Sequence, residues 1–128
     1  MIYLAKSKRK NSLQEISEVT SLPLFYLSKV FQKLVKAKLI KSTKGPSGGF
    51  ELVRNPNEIT LSHIVQAIDG LELIANCGLG LKQCNHASPC CIHHEYGQFQ
   101  RAVVQLFSNK TLRDIMIEYQ DGKFEVLY

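Results

Sequence analysis

The stretch PLFYLSKVFQKLVKAKLIKSTKGPSGGFEL, residues 23–52, contains the signals that decide the fold. Its first part has apolar side chains at the spacing of a helix with one buried face. These apolar residues are Leu27, Val30, Phe31, Leu34 and Val35. The opposite face is polar and basic, with Ser28, Lys29, Gln32, Lys33 and Lys36. Residues 39–44 and 50–54 then predict two strands joined by a glycine-rich turn.

A second helix is predicted just upstream of this stretch. Ser12 and Glu15 match a capping box, in which the two side chains satisfy each other's free backbone N–H groups. We expect this helix to run to about Thr20 and to break at residues 21–23, with Pro23 as the first residue of the next helix. Two helices with a short break, followed by a β-hairpin, predict a winged helix-turn-helix.

Three further helices are predicted downstream of the hairpin. Thr60 is placed to cap a linker helix that ends at Gly70, and Thr111 is placed to cap a final short helix. Between them, a longer helix from about His93 to Ser108 has an apolar stripe. We expect this stripe to bury itself against a second copy of the chain, with folding back onto its own domain as the alternative. The stripe consists of Phe99, Ala102, Val103, Leu106 and Phe107.

These elements predict a mainly α fold with a small β-hairpin wing and a long dimerisation helix. We expect two regions along the chain. Residues 1–56 form a winged helix-turn-helix DNA-binding domain, and residues 57–128 contain the linker helix, a cysteine-rich loop and the dimerisation helix. A homodimer is therefore expected.

The charge is divided unevenly along the chain. Residues 1–54 contain eleven Lys or Arg and three Glu, a net of +8. Residues 55–128 contain five Lys or Arg and eight Asp or Glu, a net of −3. We expect double-stranded DNA as a partner, because phosphate contacts supply most non-specific affinity for DNA. A chance imbalance of surface charge is the alternative.

The sequence predicts a cytoplasmic protein with no membrane partner. No apolar run approaches the ~18 residues that a membrane helix needs. The start, MIYLA followed by a basic segment, reverses the order of charge and apolar residues in a secretory signal.

The cysteines are concentrated in one short segment. In a chain without a secretory signal, such a cluster indicates metal or redox chemistry before disulfides. All four cysteines and three of the four histidines lie together: Cys77, Cys84, His86, Cys90, Cys91, His93 and His94.

The sequence resembles the IscR/NsrR (Rrf-type) family of bacterial winged-helix regulators. The resemblance rests on residues 23–30, 34–40 and 44–52, and on the order of helix, wing, linker helix, cysteine loop and long helix. It covers nearly the whole chain and implies a DNA-binding transcriptional regulator, which we expect to be a repressor. The helix beginning near Pro23 would then enter the major groove.

The resemblance also implies which residues contact DNA. The family's DNA-reading face falls on Tyr26, Ser28 and Lys29, and its wing tip falls on Lys44, Gly45 and Pro46. The flanking cations Lys33, Lys36 and Lys41 are expected phosphate contacts, with an ordinary solvated surface as the alternative.

The cysteine spacing is similar to the three-cysteine cluster loop of the same family. Cys77, Cys84 and Cys90 are arranged as C-x6-C-x5-C. The resemblance implies an iron–sulfur cluster, [2Fe-2S] or [4Fe-4S], held by these three cysteines and His93. Cys91 is then an extra thiol. A replaceable fourth ligand would let nitric oxide or an oxidant reach the cluster, so we expect operator affinity to respond to nitric oxide, redox or Fe–S status.

The fourth ligand stays open, because His94 is adjacent to His93. The family's first helix is also longer than the run Ile2–Ala5, and some members take the fourth ligand from it. Zinc could use the same three cysteines and a histidine, and a metal-free thiol switch is a further alternative. The absence of paired C-x2-C arms favours the cluster over zinc.

Two other classes of function compete with a DNA-binding regulator. A cysteine–histidine enzyme is not expected, because the sequence has no glycine-rich phosphate loop, HExxH motif or nucleophile elbow. A structural or partner-binding module would use the apolar stripe between residues 99 and 107.

Overall fold

The computed structural model describes residues 1–7, 9–70, 76–80 and 87–120. Their order confirms the predicted fold class, mainly helical with one antiparallel hairpin. The elements are α1 (Ile2–Ser7), α2 (Leu13–Thr20), α3 (Leu24–Lys36), β1 (Ile40–Thr43), β2 (Gly49–Leu52), a 3-10 turn (Pro56–Glu58), α4 (Leu61–Ile68), α5 (His93–Asn109) and α6 (Leu112–Gln120).

Reciprocal caps begin three of these helices. At α2, the Glu15 N–H donates to Ser12 Oγ at 3.1 Å and the Ser12 N–H donates to Glu15 Oε2 at 2.7 Å, which confirms the predicted box. At α6, Thr111 and Asp114 form the same arrangement. At α4, the Thr60 N–H donates to His63 Nδ1 at 3.1 Å, so a histidine closes that box. These short-range bonds set where each helix starts.

Helix α3 begins one residue later than predicted. Pro23 is its N-cap, with an extended ψ of 133°, and the first helical residue is Leu24. The Pro23 carbonyl accepts the first turn's hydrogen bond from the Leu27 N–H at 3.0 Å. Proline suits this place because a residue there needs no N–H of its own.

The wing is a short hairpin held by two close backbone approaches. Ile40 pairs with Leu52 and Thr43 pairs with Gly49. Gly49 has φ +145°, and a Cβ on it would lie 2.8 Å from the backbone oxygen of Asn11. Asn11 adds a third segment to the sheet, since the Phe50 N–H donates to its carbonyl at 2.8 Å. The segment before α2 therefore clamps the base of the wing.

One buried cluster joins the winged region to α6, the last helix that the structure describes. Three residues of the predicted α3 stripe, Leu27, Phe31 and Leu34, are buried in it, and Val30 and Val35 pack against it. Ile59 and Leu112 belong to the same cluster, and the Leu112 N–H donates to the Ile59 carbonyl at 2.7 Å. Helix α6 also packs on α1. The buried cluster thus continues across the boundary predicted at residue 56.

Helix α5 has a different environment. It packs on α4, yet it contains no buried residue. Phe99 and Leu106 are 61% and 53% exposed, while Val103 and Phe107 are partly covered. Three of the five residues of the predicted stripe, Phe99, Ala102 and Leu106, are therefore exposed in the single chain. None of the described helices is long and apolar enough to cross a bilayer.

Candidate nucleic-acid interface and cysteine loop

The outer face of α3 presents the residues predicted to read DNA. Burial of Leu27, Phe31 and Leu34 turns the opposite side of the helix to solvent. Tyr26 and Lys29 are exposed, whereas Ser28 is partly buried. The side chain of Ser28 lines a groove of about 360 Å³ between α3 and the wing, together with Gln32, Lys36 and Ser42. The helix and the wing thus form one continuous surface.

The wing tip extends beyond the body of the sheet. Lys44, Gly45 and Pro46 are all exposed. Gly45 has φ +107°, a conformation that a side chain would strain, and a Cβ there would meet nothing within 4 Å. The glycine therefore serves the turn and leaves the backbone open to close approach by a phosphate.

The basic residues of the wing are in two different electrostatic situations. The Lys41 ammonium lies 3.4 Å from Glu51 Oε1, its partner across the hairpin, and Lys10 lies 3.9 Å from the same atom. In the described part of the chain, no ion pair involves Lys44. Lys44 is therefore the wing cation whose charge is least compensated.

Lys33 makes a contact that the sequence does not predict. Its ammonium donates to the carbonyl oxygen of Ile68, the last residue of α4, at 2.5 Å. A cation at a helix C-terminus is favoured by the free carbonyl groups there. Lys33 thus ties α3 to the end of α4, and its prediction as a phosphate contact stays a prediction.

Both described ends of the cysteine loop lie against the start of α5. On one side, Gln100 Nε2 donates to the Asn76 carbonyl at 2.9 Å. The backbone of Gly78 lies against the Tyr96 ring, since a Cβ on the glycine would be 2.8 Å from that ring. Cys77 is therefore held between two contacts to the first turns of α5.

On the other side of the loop, Cys90 leads directly into α5. Its carbonyl accepts a hydrogen bond from the His93 N–H at 3.1 Å, and Cys90 is partly buried while Cys91 is exposed. The rings of His93 and His94 meet edge to face, with centroids 5.4 Å apart. Cys77, Cys90 and His93 thus all lie at the N-terminal end of α5.

The described residues do not by themselves complete a metal site. Among residues 1–7, 9–70, 76–80 and 87–120, no three His, Cys, Asp or Glu side chains come together to hold a metal ion. Cys84 and His86 lie outside the described residues. The predicted ligand set Cys77, Cys84, Cys90 and His93 therefore stays a prediction.

Two features of this surface were not predicted from the sequence. The long-range bond from Lys33 has no local signal. Phe25 is 72% exposed at the start of α3, and the Lys29 ammonium lies 4.2 Å from the centre of its ring. An apolar residue four positions before a lysine, off the buried stripe, is a signal that could have identified this pair.

Comparisons with known proteins agree with this architecture. Residues 1–118 match the Rrf2 family, described as an iron-dependent transcriptional regulator. The HTH-type transcriptional regulator IscR of Pectobacterium atrosepticum is 30% identical over 104 residues, which are 81% of this chain and 63% of that relative. This chain thus spans less than two thirds of that protein's length.

Two solved structures share the fold. IscR of T. potens superposes with a TM-score of 0.76 and 23% identity, covering 98% of this chain and 83% of that chain. CymR of Staphylococcus aureus in its oxidized form gives a TM-score of 0.70 and 26% identity, covering 90% of this chain and 85% of that chain.

The family match also decides the general class of function. The similar proteins are transcriptional regulators, which confirms the prediction that this chain is not an enzyme. The winged helix, the cysteine loop and the long helix occur in the order that the sequence resemblance implied. The chain belongs to the Rrf2 family of transcriptional regulators.

Proposed function

We propose that this chain is a homodimeric repressor whose affinity for operator DNA is set by an iron–sulfur cluster in its cysteine loop. The cluster would respond to nitric oxide, redox conditions or Fe–S status. The proposal keeps residues 1–56 as the DNA-binding region and residues 57–128 as the sensing and dimerisation region. The observation that carries it is the Lys33–Ile68 bond, because it connects the DNA-facing helix to the helix that leads into the loop.

The DNA contacts follow from exposure and charge. Tyr26, Ser28 and Lys29 face base edges in the major groove, and Lys44, Gly45 and Pro46 approach the flanking backbone. A net charge of +8 on residues 1–54 supports DNA binding by this region. Lys33 contributes a positive charge beside this surface while it holds α4.

The dimer contact uses the open side of α5. The large apolar side chains of Phe99 and Leu106 are exposed to solvent. A symmetric contact between two copies of the chain would cover them. Such a two-fold symmetric contact would let the two α3 helices reach half-sites about one turn of DNA apart.

The loop residues would hold the cluster through thiolates. Cys77, Cys84 and Cys90 supply the sulfur ligands, and His93 supplies a nitrogen from the first residue of α5. When bound, the cluster supplies a redox-active, thiolate-ligated iron centre that nitric oxide and oxygen attack. The chain's own part is to hold Asn76 on Gln100 and the Gly78 backbone on Tyr96, which keeps Cys77 beside α5.

Coupling then passes along α4. Only eight residues separate Ile68 from Cys77, so a change in the position of Cys77 would reach the end of α4 through a short segment of chain. Lys33 transmits that change to α3 because its ammonium binds the Ile68 carbonyl. A coupling of ~1–3 kcal/mol would change operator affinity about 5- to 150-fold.

The test titrates operator DNA with cluster-loaded protein, metal-free protein and loaded protein exposed to nitric oxide or oxygen. We expect the operator affinity to differ at least fivefold between loaded and metal-free protein. Cys90→Ala should remove the cluster's visible absorption and fix the metal-free affinity, as should Cys84→Ala. The matched variant Cys91→Ala, which removes the neighbouring exposed thiol, should retain both the absorption and the response. Equal affinities in all three states would contradict the sensor.

A metal-free or zinc-binding thiol switch is the second candidate. It is favoured by the exposure of Cys91 next to the partly buried Cys90, and by the similarity to CymR, which was solved in an oxidized form. In that case purified protein contains no iron or sulfide, and Cys91→Ala abolishes the response to oxidant. Iron and sulfide analysis of anaerobically purified protein distinguishes the two.

A further inference from the structure

Phe25 has an exposure that packing within the chain does not explain. Its side chain is 72% exposed, more than that of any other large apolar residue in the described ranges. It lies in the first turn of α3, at the end of the helix that leads into the DNA-facing surface. Isolated exposed apolar residues are ordinary on protein surfaces, so exposure alone assigns no role to Phe25.

The second observation is the position of Lys29. Residues 25 and 29 are one helical turn apart on the same face, and the Lys29 ammonium lies 4.2 Å from the centroid of the Phe25 ring. The ring attracts the cation through its negative face. This contact favours a position of the Lys29 ammonium directly beside the apolar Phe25 ring.

The apolar ring and the ammonium are complementary to two kinds of group that neighbouring bases expose in the DNA major groove. The C5-methyl of thymine is the apolar group exposed there, and O6 and N7 of guanine are the acceptors that lysine prefers. Successive bases on one strand are about 3.4 Å apart, comparable to the separation of ring and ammonium. We propose that Phe25 reads a thymine methyl while Lys29 reads the adjacent guanine. This inference rests on the proposed DNA-binding function.

The first experiment identifies the preferred operator by selection from random duplex DNA with the full-length protein. Each thymine of that operator is then replaced by deoxyuridine, which removes only the methyl group. We expect one replacement in each half-site to weaken wild-type binding about fourfold, the effect of one buried methyl group. Phe25→Ala should bind the two DNAs equally, whereas Val19→Ala, which shortens an exposed apolar residue of α2, should keep the wild-type difference.

The second experiment tests the adjacent base. Replacement of the neighbouring guanine by 7-deazaguanine removes the N7 acceptor, and we expect about a fivefold loss of wild-type affinity. Lys29→Met should be insensitive to this replacement. Phe25→Leu should keep the thymine response, because it keeps an apolar side chain.

The outcomes separate the two proposals. If the wild-type chain binds no duplex DNA selectively, the proposed function fails. If it binds its operator but Phe25→Ala and wild type lose equal affinity at every deoxyuridine, the operator function stands and the role of Phe25 is overturned. The same holds if Phe25→Ala changes only the capture of a protein partner.

Discussion

The winged region and helix α5 differ in how much of their apolar surface a single chain buries. Helix α3 packs Leu27, Phe31 and Leu34 at 4% exposure or less, whereas α5 has no buried residue and leaves Phe99 61% exposed. Helix α5 leaves three of its five stripe residues exposed, and an exposed apolar patch of this kind is typical of a protein–protein contact. The difference separates a helix that forms part of the buried cluster from a helix whose apolar stripe is available for the proposed dimer contact.

The largest effect is expected when charged residues are placed on the exposed apolar surface of α5. Phe99→Asp with Leu106→Asp places two charges on the most exposed large apolar positions of α5 and removes one ring contact within the chain, between Phe99 and Tyr96. We expect a folded monomer in sedimentation and at least about a 100-fold loss of operator affinity, because the two half-sites are no longer bound together. Gln98→Asp with Gln105→Asp adds the same charge at exposed polar positions and should remain dimeric. A double Phe99 and Leu106 variant that sediments as a dimer would place the interface elsewhere.

The next largest effect is expected at the contact between Lys33 of α3 and the Ile68 carbonyl at the end of α4. Lys33→Met keeps the length of the side chain but cannot donate to the Ile68 carbonyl. We expect it to reduce the affinity ratio between cluster-loaded and metal-free protein by about fivefold, within the usual range of coupling energies. Lys36→Met removes a nearby exposed lysine of the same helix and should lower both affinities while leaving their ratio unchanged. Equal ratios for Lys33→Met and wild type would show that coupling takes another path.

A smaller effect is expected on the salt dependence of DNA affinity, which depends on the lysines of the wing. Lys44→Ala should reduce the slope of log affinity against log salt by about one unit, because one phosphate contact is lost. Lys41→Ala removes a lysine already paired with Glu51, so its slope should change less than half as much. Fluorescence anisotropy at several salt concentrations measures both. The reverse order would mean that the wing approaches DNA along its strands and not at its tip.

The smallest effect is expected at low pH, at the carboxylates that cap α2 and α6. A backbone hydrogen bond from Ser12 lowers the pKa of Glu15, and one from Thr111 lowers the pKa of Asp114. Each carboxylate therefore stabilises the fold above its ordinary pKa, and that contribution disappears as the pH falls through the lower pKa of the folded state.

Glu15→Gln and Asp114→Asn should each reduce the loss of Tm between pH 6 and about pH 3. Because α6 shares the buried cluster with α3, both variants should shift a single cooperative transition. Two separate transitions would show that the regions unfold independently.

The local elements were predictable because their signals lie within a few residues. The capping boxes at Ser12 and Thr111, the stripe of α3 and the glycines of the wing each act over one turn of chain. The long helix was predicted at 93–108 and is observed at His93–Asn109. The predicted start of α3 at Pro23 was wrong by one residue, since the helix begins at Leu24 and Pro23 is its N-cap; a proline that can begin a helix can equally cap it.

The sequence alone determined the winged helix, its basic surface and the presence of a cysteine loop, since periodicity, charge and spacing are properties of the chain itself. The tertiary structure alone decided how these parts meet. The Lys33–Ile68 bond joins residues 35 positions apart, and the sheet bridge from Asn11 to Phe50 and the burial of Leu112 beside Ile59 span similar or longer separations. No local pattern specifies such partners, because the same lysine or leucine can satisfy many surfaces until the whole fold selects one.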